Sequence, residues 1–326
     1  MDNASVKYGF YDRLKAEFPS QIIVDMTEVC NLACIHCPHP EFKKSEHYAA
    51  RYLDPDLNVK LVDEVREFGR GFTEYIRYTG EGEPLVHPKC YDILENAVKH
   101  SGVLVTLTTN GTILNEKRVE KLLASGLHMI DISIDAFTPE TYAKIRVNGD
   151  LNVTRANVLR MIQMAKQTGG RTKVVVSYVE QPQNHHETHD FESFWNSHGT
   201  DYVIVRRLHS GAGAVVPIAN ILHKENTSEH RKPCLYPWER IVLNPRGTLV
   251  FCPQDWVHGS AIADYRHTTI RDIWQGEFYR RLREAHLNNN YQNHPFCGNC
   301  PDWKQTRWPG EGRSYANLIE EFKGQF

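Results

Sequence analysis

The chain has 326 residues, a net charge of −2 at pH 7, 40% hydrophobic residues and 24% charged residues. This near-neutral balance excludes a broad nucleic-acid-binding face, which normally requires a basic surface. No apolar run approaches the length of a membrane span, and the first twenty residues lack the apolar segment of a secretion signal. We therefore expect a cytoplasmic protein with no membrane partner and no nucleic-acid partner.

Short apolar segments alternate with helical periodicities over the first two thirds of the chain. The predicted strands are residues 21–26, 74–78, 103–107, 128–134, 172–178 and 202–205. The predicted helices are residues 57–68, 91–99, 116–123, 139–145, 153–166 and 191–197. Six β-then-α units imply parallel strands with helical crossovers, and six are too few for a closed eight-stranded barrel. The pattern predicts an α/β fold built on an open, partial (β/α)6 barrel of the TIM type.

The pattern changes after residue 208. Residues 210–214, Ser-Gly-Ala-Gly-Ala, predict a flexible linker. A β-hairpin is predicted from strands 240–243 and 248–251 around the turn 244–247, and a helix at 269–282. We therefore predict an N-terminal extension, a barrel and a small cysteine-rich C-terminal domain, at residues 1–18, 19–209 and 210–326.

Three cysteines follow the first predicted strand in the pattern C-x3-C-x2-C: Cys30, Cys34 and Cys37. Cysteines in a cytosolic chain indicate metal binding or catalysis more often than disulfides. A [4Fe–4S] cube held by only three thiolates keeps one iron open for chemistry. The loop is predicted at the C-terminal mouth of the barrel, where parallel α/β folds place their sites. A zinc knuckle, or a loop with incidental thiols, is the alternative.

Four more cysteines follow in the C-terminal domain in the pattern C-x17-C-x44-C-x2-C: Cys234, Cys252, Cys297 and Cys300. Four thiolates are enough to close a second iron–sulfur cluster completely. A structural zinc ribbon would use the same four thiolates. The eighth cysteine, Cys90, has no evident partner, and a buried apolar thiol is its simplest interpretation.

The run from Cys30 to Cys37 resembles the signature of the radical S-adenosylmethionine (SAM) superfamily, C-x3-C-x-aromatic-C, with His36 where the family usually carries an aromatic residue. The C-terminal cysteine pattern resembles the twitch domain, a shortened relative of the SPASM domain that holds one auxiliary cluster. The resemblance implies two [4Fe–4S] clusters, an auxiliary one and one that binds SAM. In this family the SAM-binding cluster cleaves SAM to a 5′-deoxyadenosyl radical, which abstracts a hydrogen atom from the substrate. Some epimerases of the family use a cysteine as hydrogen-atom donor, which is the alternative for Cys90.

Segments at the ends of the predicted strands resemble further SAM-binding motifs of this family. Gly80, Glu81, Gly82 and Glu83 follow the second strand and resemble the glycine–glutamate motif that holds the amino group of SAM. Glycines permit close backbone approach to a ligand. The resemblance also assigns to SAM binding His36 against the adenine, Asn110 beside the SAM site, Ser133 and Asp135 near the ribose, and Arg146 at the carboxylate. Ordinary turns and a solvated arginine at a helix end are the alternatives.

The segment after Cys252 carries polar and aromatic side chains next to a predicted cluster ligand. Gln254 and Asp255 have groups that hydrogen-bond hydroxyls, and Trp256 has a ring that stacks on a sugar; ordinary loop packing is the alternative. Only about twenty residues precede the first predicted strand. We therefore expect no N-terminal domain of the kind that recognises a leader peptide in peptide-modifying relatives.

These features lead to the hypothesis of a radical SAM oxidoreductase, of dehydrogenase or epimerase type. Its predicted substrate is a small polyol, such as a sugar, aminocyclitol or nucleotide sugar, and its auxiliary cluster would assist oxidation. The resemblance implies a flavodoxin or ferredoxin as electron donor. The alternative is a maturase that modifies a peptide or protein side chain by oxidation, epimerisation or crosslinking. A non-catalytic iron–sulfur or zinc scaffold is a third reading, against which the strand-end motifs argue.

Overall fold

The computed structural model of the chain describes residues 17–169, 171–225, 231–256, 258–305, 315–322 and 325. All but the last two residues of the predicted N-terminal extension lie outside these ranges. None of the helices within them combines the length and the apolar character needed to cross a lipid bilayer.

Six parallel strands form one sheet in the spatial order β6-β5-β4-β3-β2-β1. They are β1 (Gln21–Val24), β2 (Tyr75–Tyr78), β3 (Leu104–Thr109), β4 (Met129–Ser133), β5 (Lys173–Val179) and β6 (Tyr202–Arg206). Each strand from β2 to β6 pairs in parallel with the strand that precedes it in the chain. All six strands lie at the predicted places, with ends that differ from the predicted ones by up to two residues.

Helices connect the strands, and side chains cap several of them. The helices of the barrel are α1 (His39–Phe42), α2 (Pro55–Glu64), α3 (Cys90–His100), α4 (Glu116–Ala124), α5 (Pro139–Ile145), α6 (Leu151–Gln167) and α7 (Thr188–Ser197). The side chains of Asp54, Asn115 and Asp150 accept backbone N–H bonds at the starts of α2, α4 and α6. These caps satisfy donors that the first helical turn leaves without a partner.

Alternation along the strands separates an apolar outer face from a polar barrel interior. In β2, Ile76 and Tyr78 belong to the largest buried hydrophobic cluster, whereas Tyr75 and Arg77 line the central cavity. In β6, Val203 belongs to that cluster and Arg206 lines the cavity. The strands therefore present charged and polar side chains to the inside of the barrel, where a site can form.

The C-terminal part contains α8 (Val216–Glu225), α9 (Tyr236–Glu239), β7 (Arg240–Leu243), β8 (Thr248–Val250), β9 (Ala261–Asp264), α10 (Ile270–Gln275), α11 (Glu277–Leu287), α12 (Pro295–Gly298) and α13 (Tyr315–Phe322). The predicted hairpin is present, because β7 and β8 pair in antiparallel fashion. Two features were not predicted: β9 adds a third strand, and β7 pairs in parallel with β1. The sheet therefore continues across the predicted domain boundary at residue 209, which stays a prediction.

Two predicted helices differ in the structure. The first, at 57–68, is α-helical only to Glu64 and ends in one π-helical turn, Val65–Gly69. The second, at 269–282, was predicted as one helix but is broken at Gly276, whose ψ of 173° is extended. A Cβ at this position would lie 2.6 Å from the carbonyl oxygen of Asp272. The apolar periodicity continues across the break and therefore hid it.

The flexibility predicted for 210–214 is wrong, because the carboxylate of Asp302 holds the first of these residues by hydrogen bonds, whereas their role as a linker or domain boundary stays a prediction. Oδ1 of Asp302 accepts from Ser210 N at 2.8 Å and from Ser210 Oγ at 2.9 Å, and Oδ2 accepts from Ala212 N at 2.7 Å. Ser210 is fully buried and Asp302 almost so. Small residues with free backbone N–H groups indicate flexibility in sequence, but the same groups can wrap around a buried anion.

Candidate active site

A cavity of about 570 Å³ occupies the barrel interior and reaches the C-terminal part of the chain. It brings together most of the residues predicted for catalysis, cofactor binding and substrate binding. The predicted residues in its wall are Cys30, Cys34, His36, Cys37, Gly80, Glu81, Gly82, Glu83, Asn110, Ser133, Arg146, Cys252, Gln254, Asp255 and Trp256. Residues that lie between 30 and 256 in sequence thus border one space.

The three-cysteine loop is held by backbone bonds on one side and by a close backbone contact with Gly82 on the other. Ala33 N and Ile35 N donate to the carbonyl oxygens of Val147 and Ile145, both at 3.0 Å. On the opposite side, a Cβ on Gly82 would lie 2.3 Å from the carbonyl oxygen of Thr27. Glycine is therefore required there because the two loops touch backbone to backbone.

The three thiols lie beside one another, Cys34 buried and Cys30 and Cys37 partly buried. Burial raises the pKa of Cys30 to about 12 and raises those of Cys34 and Cys37, and each thiol feels the charge of at least one neighbouring thiol or acid. Such thiols stay protonated unless a positive centre replaces the proton. The donor set is therefore three sulfurs around a shared space, which fits a [4Fe–4S] cluster with one iron open.

Arg146 is a cation beside this loop. Its charge favours the thiolate of Cys34, and its guanidinium pairs with the carboxylate of Asp135, which is fully buried behind it. Asp135 also accepts from Val179 N at 2.7 Å. Within the described residues, Nε of Arg146 is buried without a hydrogen-bond partner. A buried guanidinium that lines the cavity and lacks one partner fits a ligand carboxylate.

His36 lies between Asp135 and Gln181, with Nε2 at 3.5 Å from Oδ2 of Asp135 and Nδ1 at 3.4 Å from Nε2 of Gln181. Burial lowers the pKa of His36 to about 4, although Asp135 alone would raise it. Arg146 also lowers this pKa and already balances the charge of Asp135. The imidazole is therefore neutral at pH 7, and its contact with Asp135 is not an ion pair.

The two carboxylates of the glycine–glutamate segment face different neighbours. Glu83 accepts from Thr109 Oγ1 at 2.6 Å and from Asn110 N at 2.8 Å, and its charge acts on Cys30. Glu81 instead meets Arg246 in the β7–β8 turn at 3.0 Å. Oε2 of Glu81 is buried with no partner in the described part of the chain. Glu83 thus lies on the side of the three-cysteine loop, and Glu81 on the side of the hairpin.

Burial raises the pKa of Glu81 to about 7 in spite of Arg246. The ion pair does not prevent this rise because Arg246 is shared: its Nη1 donates to the fully buried Glu28 at 2.7 Å. The charges of Glu28 and Asp255 also raise the pKa of Glu81. Asp25, whose carboxylate accepts from Glu81 N at 2.9 Å, has a pKa well above its usual range, first through burial and then through Glu81.

Two predicted SAM contacts lie at strand ends with their own hydrogen bonds. Asn110, after β3, donates from Nδ2 to Oδ1 of Asn31 at 2.9 Å and so joins the strand end to the three-cysteine loop. Ser133 ends β4 and shares a hydrogen bond of 3.2 Å with Ser177 of β5. Both side chains line the cavity, and their assignment to SAM stays a prediction.

The four C-terminal cysteines line a second, smaller cavity of about 40 Å³. They are Cys234, Cys252, Cys297 and Cys300, and each feels the charge of other members of the set. All eight cysteines of the chain are free thiols. The four sulfurs surround a space, which fits a closed cluster. Cys90, by contrast, is fully buried in the hydrophobic core, as its simplest interpretation predicts.

The predicted substrate residues occupy the wall between the two cavities or support it. Gln254 lines both cavities, as do Cys252, Tyr236 and His209. Asp255 accepts from Ser260 N and Ser260 Oγ, both at 2.7 Å, so its carboxylate supports the turn that follows. Trp256 packs edge-on against Phe42 with ring centroids 5.7 Å apart. Its packing against the barrel limits the surface that it offers to a ligand.

Several cavity residues were missed by sequence reasoning. Asp25, Arg77 and Arg246 line the cavity and carry ionisable side chains. Asp25 and Arg77 lie directly after and within buried strands, where an unpaired charge is costly. A charge next to a buried strand is therefore the sequence signal that could have found them. Arg246 gave no such signal, since it lies in a hairpin turn where charged residues are common.

Sequence comparison identifies both halves of the site. A family model described as the Radical SAM superfamily matches residues 24–194, slightly more than half of the chain. A model described as an iron–sulfur cluster-binding domain, SPASM, matches residues 234–301. The second match includes all four C-terminal cysteines.

Curated relatives match over different lengths. The tungsten-containing aldehyde ferredoxin oxidoreductase cofactor-modifying protein of Pyrococcus furiosus is 23% identical over 318 residues, which cover 86% of each chain. A probable GTP 3′,8-cyclase of Methanococcus maripaludis is 33% identical over 141 residues, 43% of this chain. The chain covers only 45% of the length of that cyclase.

Solved structures share the fold at low sequence identity. BtrN in complex with AdoMet and 2-DOIA superimposes with a TM-score of 0.60 at 18% identity, over 86% of this chain and 92% of BtrN. Streptococcus suis SuiB bound to the precursor peptide SuiA gives a TM-score of 0.66 at 13% identity, over 96% of this chain and 75% of SuiB. These similarities confirm the predicted fold class, a partial barrel followed by a small C-terminal domain.

Proposed function

The chain belongs to the radical SAM superfamily, and we propose that it oxidises a small polyol-type substrate, such as a sugar, an aminocyclitol or a nucleotide sugar. Membership and the matched iron–sulfur domain confirm the predicted cofactors, which are SAM, a [4Fe–4S] cluster and an auxiliary iron–sulfur cluster. When bound, they supply a 5′-deoxyadenosyl radical and an acceptor for one electron. The observation that carries the proposal is the single cavity bordered by both the three-cysteine loop and Cys252.

The residues proposed to hold SAM are those nearest the three-cysteine loop. Nε of Arg146 offers a donor to the SAM carboxylate, and Asp135 fixes the guanidinium from behind. Glu83, whose charge reaches Cys30, offers a carboxylate to the amino group. Charge-assisted bonds of this kind orient a zwitterionic group more strongly than neutral ones. We assign the neutral His36 and the hydroxyl of Ser133 to contacts with the uncharged parts of SAM.

The residues proposed to meet the substrate lie on the hairpin side. Asn244, Thr248 and Gln254 line the cavity with side chains that can bond hydroxyls. Glu81 has one buried oxygen without a partner among the described residues, and its pKa of about 7 suits exchange of a proton near neutral pH. We therefore assign to Oε2 of Glu81 the proton that an alcohol loses on oxidation. Arg246 holds the other oxygen of Glu81 in place.

The volume of the cavity supports a small second ligand. About 570 Å³ lies within the range of sites that enclose drug-sized molecules. SAM would fill a large part of this volume. The remainder suits a compact polyol, held where its hydroxyls meet the polar wall. A flavodoxin or ferredoxin is the electron donor that we propose, as the family resemblance implies.

The test is transfer of deuterium from substrate to 5′-deoxyadenosine. Anaerobically reconstituted protein is mixed with SAM, a reductant and one deuterated polyol at a time, and 5′-deoxyadenosine is analysed by mass spectrometry. We expect deuterium in 5′-deoxyadenosine with at least one sugar, aminocyclitol or nucleotide sugar, together with a product two hydrogens lighter. Label transfer only from a peptide would contradict the proposal and identify a peptide maturase.

Two variants distinguish SAM cleavage from oxidation of the substrate. Cys34→Ala should abolish SAM cleavage and keep iron at the C-terminal site. Cys297→Ala should keep uncoupled SAM cleavage, lose iron at the second site and lose the oxidised product. An unchanged yield of oxidised product in Cys297→Ala would exclude a role for the auxiliary cluster in the oxidation.

A further inference from the structure

The cavity wall next to the four-cysteine site carries two arginines, a histidine and a tyrosine that are not among the residues proposed to bind SAM. Arg207, His209, Tyr236 and Arg240 line this part of the cavity. His209 and Tyr236 also line the four-cysteine cavity, which locates the group at the boundary between the two spaces. Burial lowers the pKa of His209; the charge of Asp302 raises it, and the charges of Arg206, Arg240 and Arg207 lower it. The imidazole therefore lies in the field of three guanidinium groups and one carboxylate.

Two buried nitrogens in this group lack a hydrogen-bond partner. They are Nε of Arg240 and Nδ1 of His209, and the statement covers the residues that the structure describes. A buried polar atom without a partner costs about 1–3 kcal/mol, so native proteins normally supply one from a ligand or an ordered water. Both residues line the same cavity, so a ligand bound in this part of it would lie beside both side chains.

Neighbouring contacts hold the Arg240 guanidinium in place. Its Nη2 donates to Oε2 of Glu239 at 2.8 Å, and its guanidinium carbon lies 4.1 Å from the centre of the Tyr236 ring. These two contacts fix the plane of the group without using Nε. Arg207, which begins the segment after β6, is exposed and donates to the carbonyl oxygen of Lys304 at 3.4 Å. It therefore adds an exposed second cation to the same cavity wall.

We propose that Arg240, His209 and Arg207 bind an oxyanion group of the substrate, a phosphate or a carboxylate. Planar guanidinium groups match the oxygens of both anions, and a neutral imidazole with its proton on Nδ1 adds a third donor. The inference rests on the proposed function and narrows it. Among small polyols it selects those that carry an anionic group, as a nucleotide sugar or a sugar acid does.

The test measures anion binding directly, so it does not depend on turnover. Full-length reconstituted protein with SAM is titrated anaerobically with sodium phosphate or with sodium succinate, against sodium chloride at matched ionic strength. The thermal midpoint reports binding, because a ligand that binds only the folded state stabilises it by mass action. We expect a saturable rise of the midpoint with at least one of the two anions. The anion that gives a saturable rise shows whether the site binds a phosphate or a carboxylate group.

Arg240→Gln should weaken the apparent affinity for that anion about tenfold or more, because a buried charge-assisted bond is lost. Arg207 is exposed, so the Arg207→Gln variant should fold normally. Its affinity for the anion should fall by a smaller factor, about threefold. The matched control is Arg281→Gln, an exposed arginine that pairs with Glu277 on α11. It should bind the anion as the wild type does.

Wild-type affinity in both Arg240→Gln and Arg207→Gln would overturn the inference, as would a chloride titration that matches phosphate and succinate. If Arg240→Gln does not fold, Arg207→Gln alone decides, and an unchanged affinity overturns the inference. Uncoupled 5′-deoxyadenosine formation is measured on the same samples. If 5′-deoxyadenosine forms but no anion binds, only the inference is refuted. If the wild type forms no 5′-deoxyadenosine, the proposed function is refuted.

Discussion

Substitution of Asp302 tests how the barrel is joined to the four-cysteine site. The Asp302 carboxylate accepts three hydrogen bonds, from Ser210 N, Ser210 Oγ and Ala212 N, over 2.7–2.9 Å. It also lies two residues after Cys300. Asp302→Ala removes both acceptor oxygens and with them all three hydrogen bonds, and it leaves donors on a fully buried residue, Ser210, without a partner.

The expected loss of stability is large. Each buried donor without a partner costs about 1–3 kcal/mol, and water that enters the space left by the carboxylate reduces this cost. For three donors we expect a loss of about 3–6 kcal/mol. A domain of this size shifts its thermal midpoint by about 2 °C for each kcal/mol, so Asp302→Ala should melt at least about 6 °C lower than the wild type.

The assay combines anaerobic thermal unfolding with iron analysis of reconstituted protein. The wild type should contain about eight irons, four for each cube. Asp302→Ala should fall toward about four, because the segment that carries Cys300 loses its anchor. Uncoupled cleavage of SAM should persist, because the three-cysteine loop is held by other bonds.

Two variants serve as controls. Asp302→Asn keeps one carbonyl oxygen for Ser210 but loses the acceptor that faces Ala212, so it should give an intermediate midpoint. Asp272→Ala replaces an exposed aspartate on α10 and should match the wild type. If Asp302→Ala retained the wild-type midpoint and all its iron, the carboxylate would not be the anchor that we infer.

The remaining predictions concern the barrel end of the cavity. Gly82→Ala would place a Cβ 2.3 Å from the carbonyl oxygen of Thr27, so it should displace the three-cysteine loop and lose its iron, measured by iron content and absorbance; normal iron loading would contradict this. Burial raises the pKa of Glu81 to about 7, so the folded protein holds a proton that the unfolded chain has released. Its contribution to stability is greatest below the usual carboxyl pKa and is lost as the pH rises through 7. Glu81→Gln should remove this part of the fall in thermal midpoint between pH 5 and pH 8, and an unchanged pH profile would exclude it. Arg146→Gln should weaken SAM binding about tenfold or more, measured by equilibrium dialysis; Asp135 would then keep a buried charge without its main partner, so iron content is measured alongside.

Much of the fold was predictable because its signals are local. All six barrel strands appear where apolar runs alternate with helical periodicities, and the hairpin appears where Asn244-Pro245-Arg246-Gly247 indicates a turn. The errors also have local causes. The periodicity over 269–282 continued through Gly276, and the small residues at 210–214 gave no indication of the distant anion that orders them.

The cysteines were predictable for a chemical reason. Three thiols at C-x3-C-x2-C spacing lie within one loop, so their proximity needs no knowledge of the tertiary structure. The charged network at the hairpin side was not predictable in this way. Glu28, Glu81 and Arg246 are separated by up to 218 residues, and they meet because β7 pairs in parallel with β1.

The amino-acid order by itself determined the type of chemistry, since the spacing of the thiols and the polar groups at strand ends are properties of short segments. Only the tertiary structure decided which groups face one another across the barrel. It placed Glu83 and Glu81 beside different neighbours, buried Asp135 behind Arg146, and brought Arg240 and His209 into the wall of the same cavity. The physical reason is that burial and contacts between distant residues set the protonation state of each side chain and decide which of its polar atoms lack a partner. The residues adjacent in the sequence determine neither property.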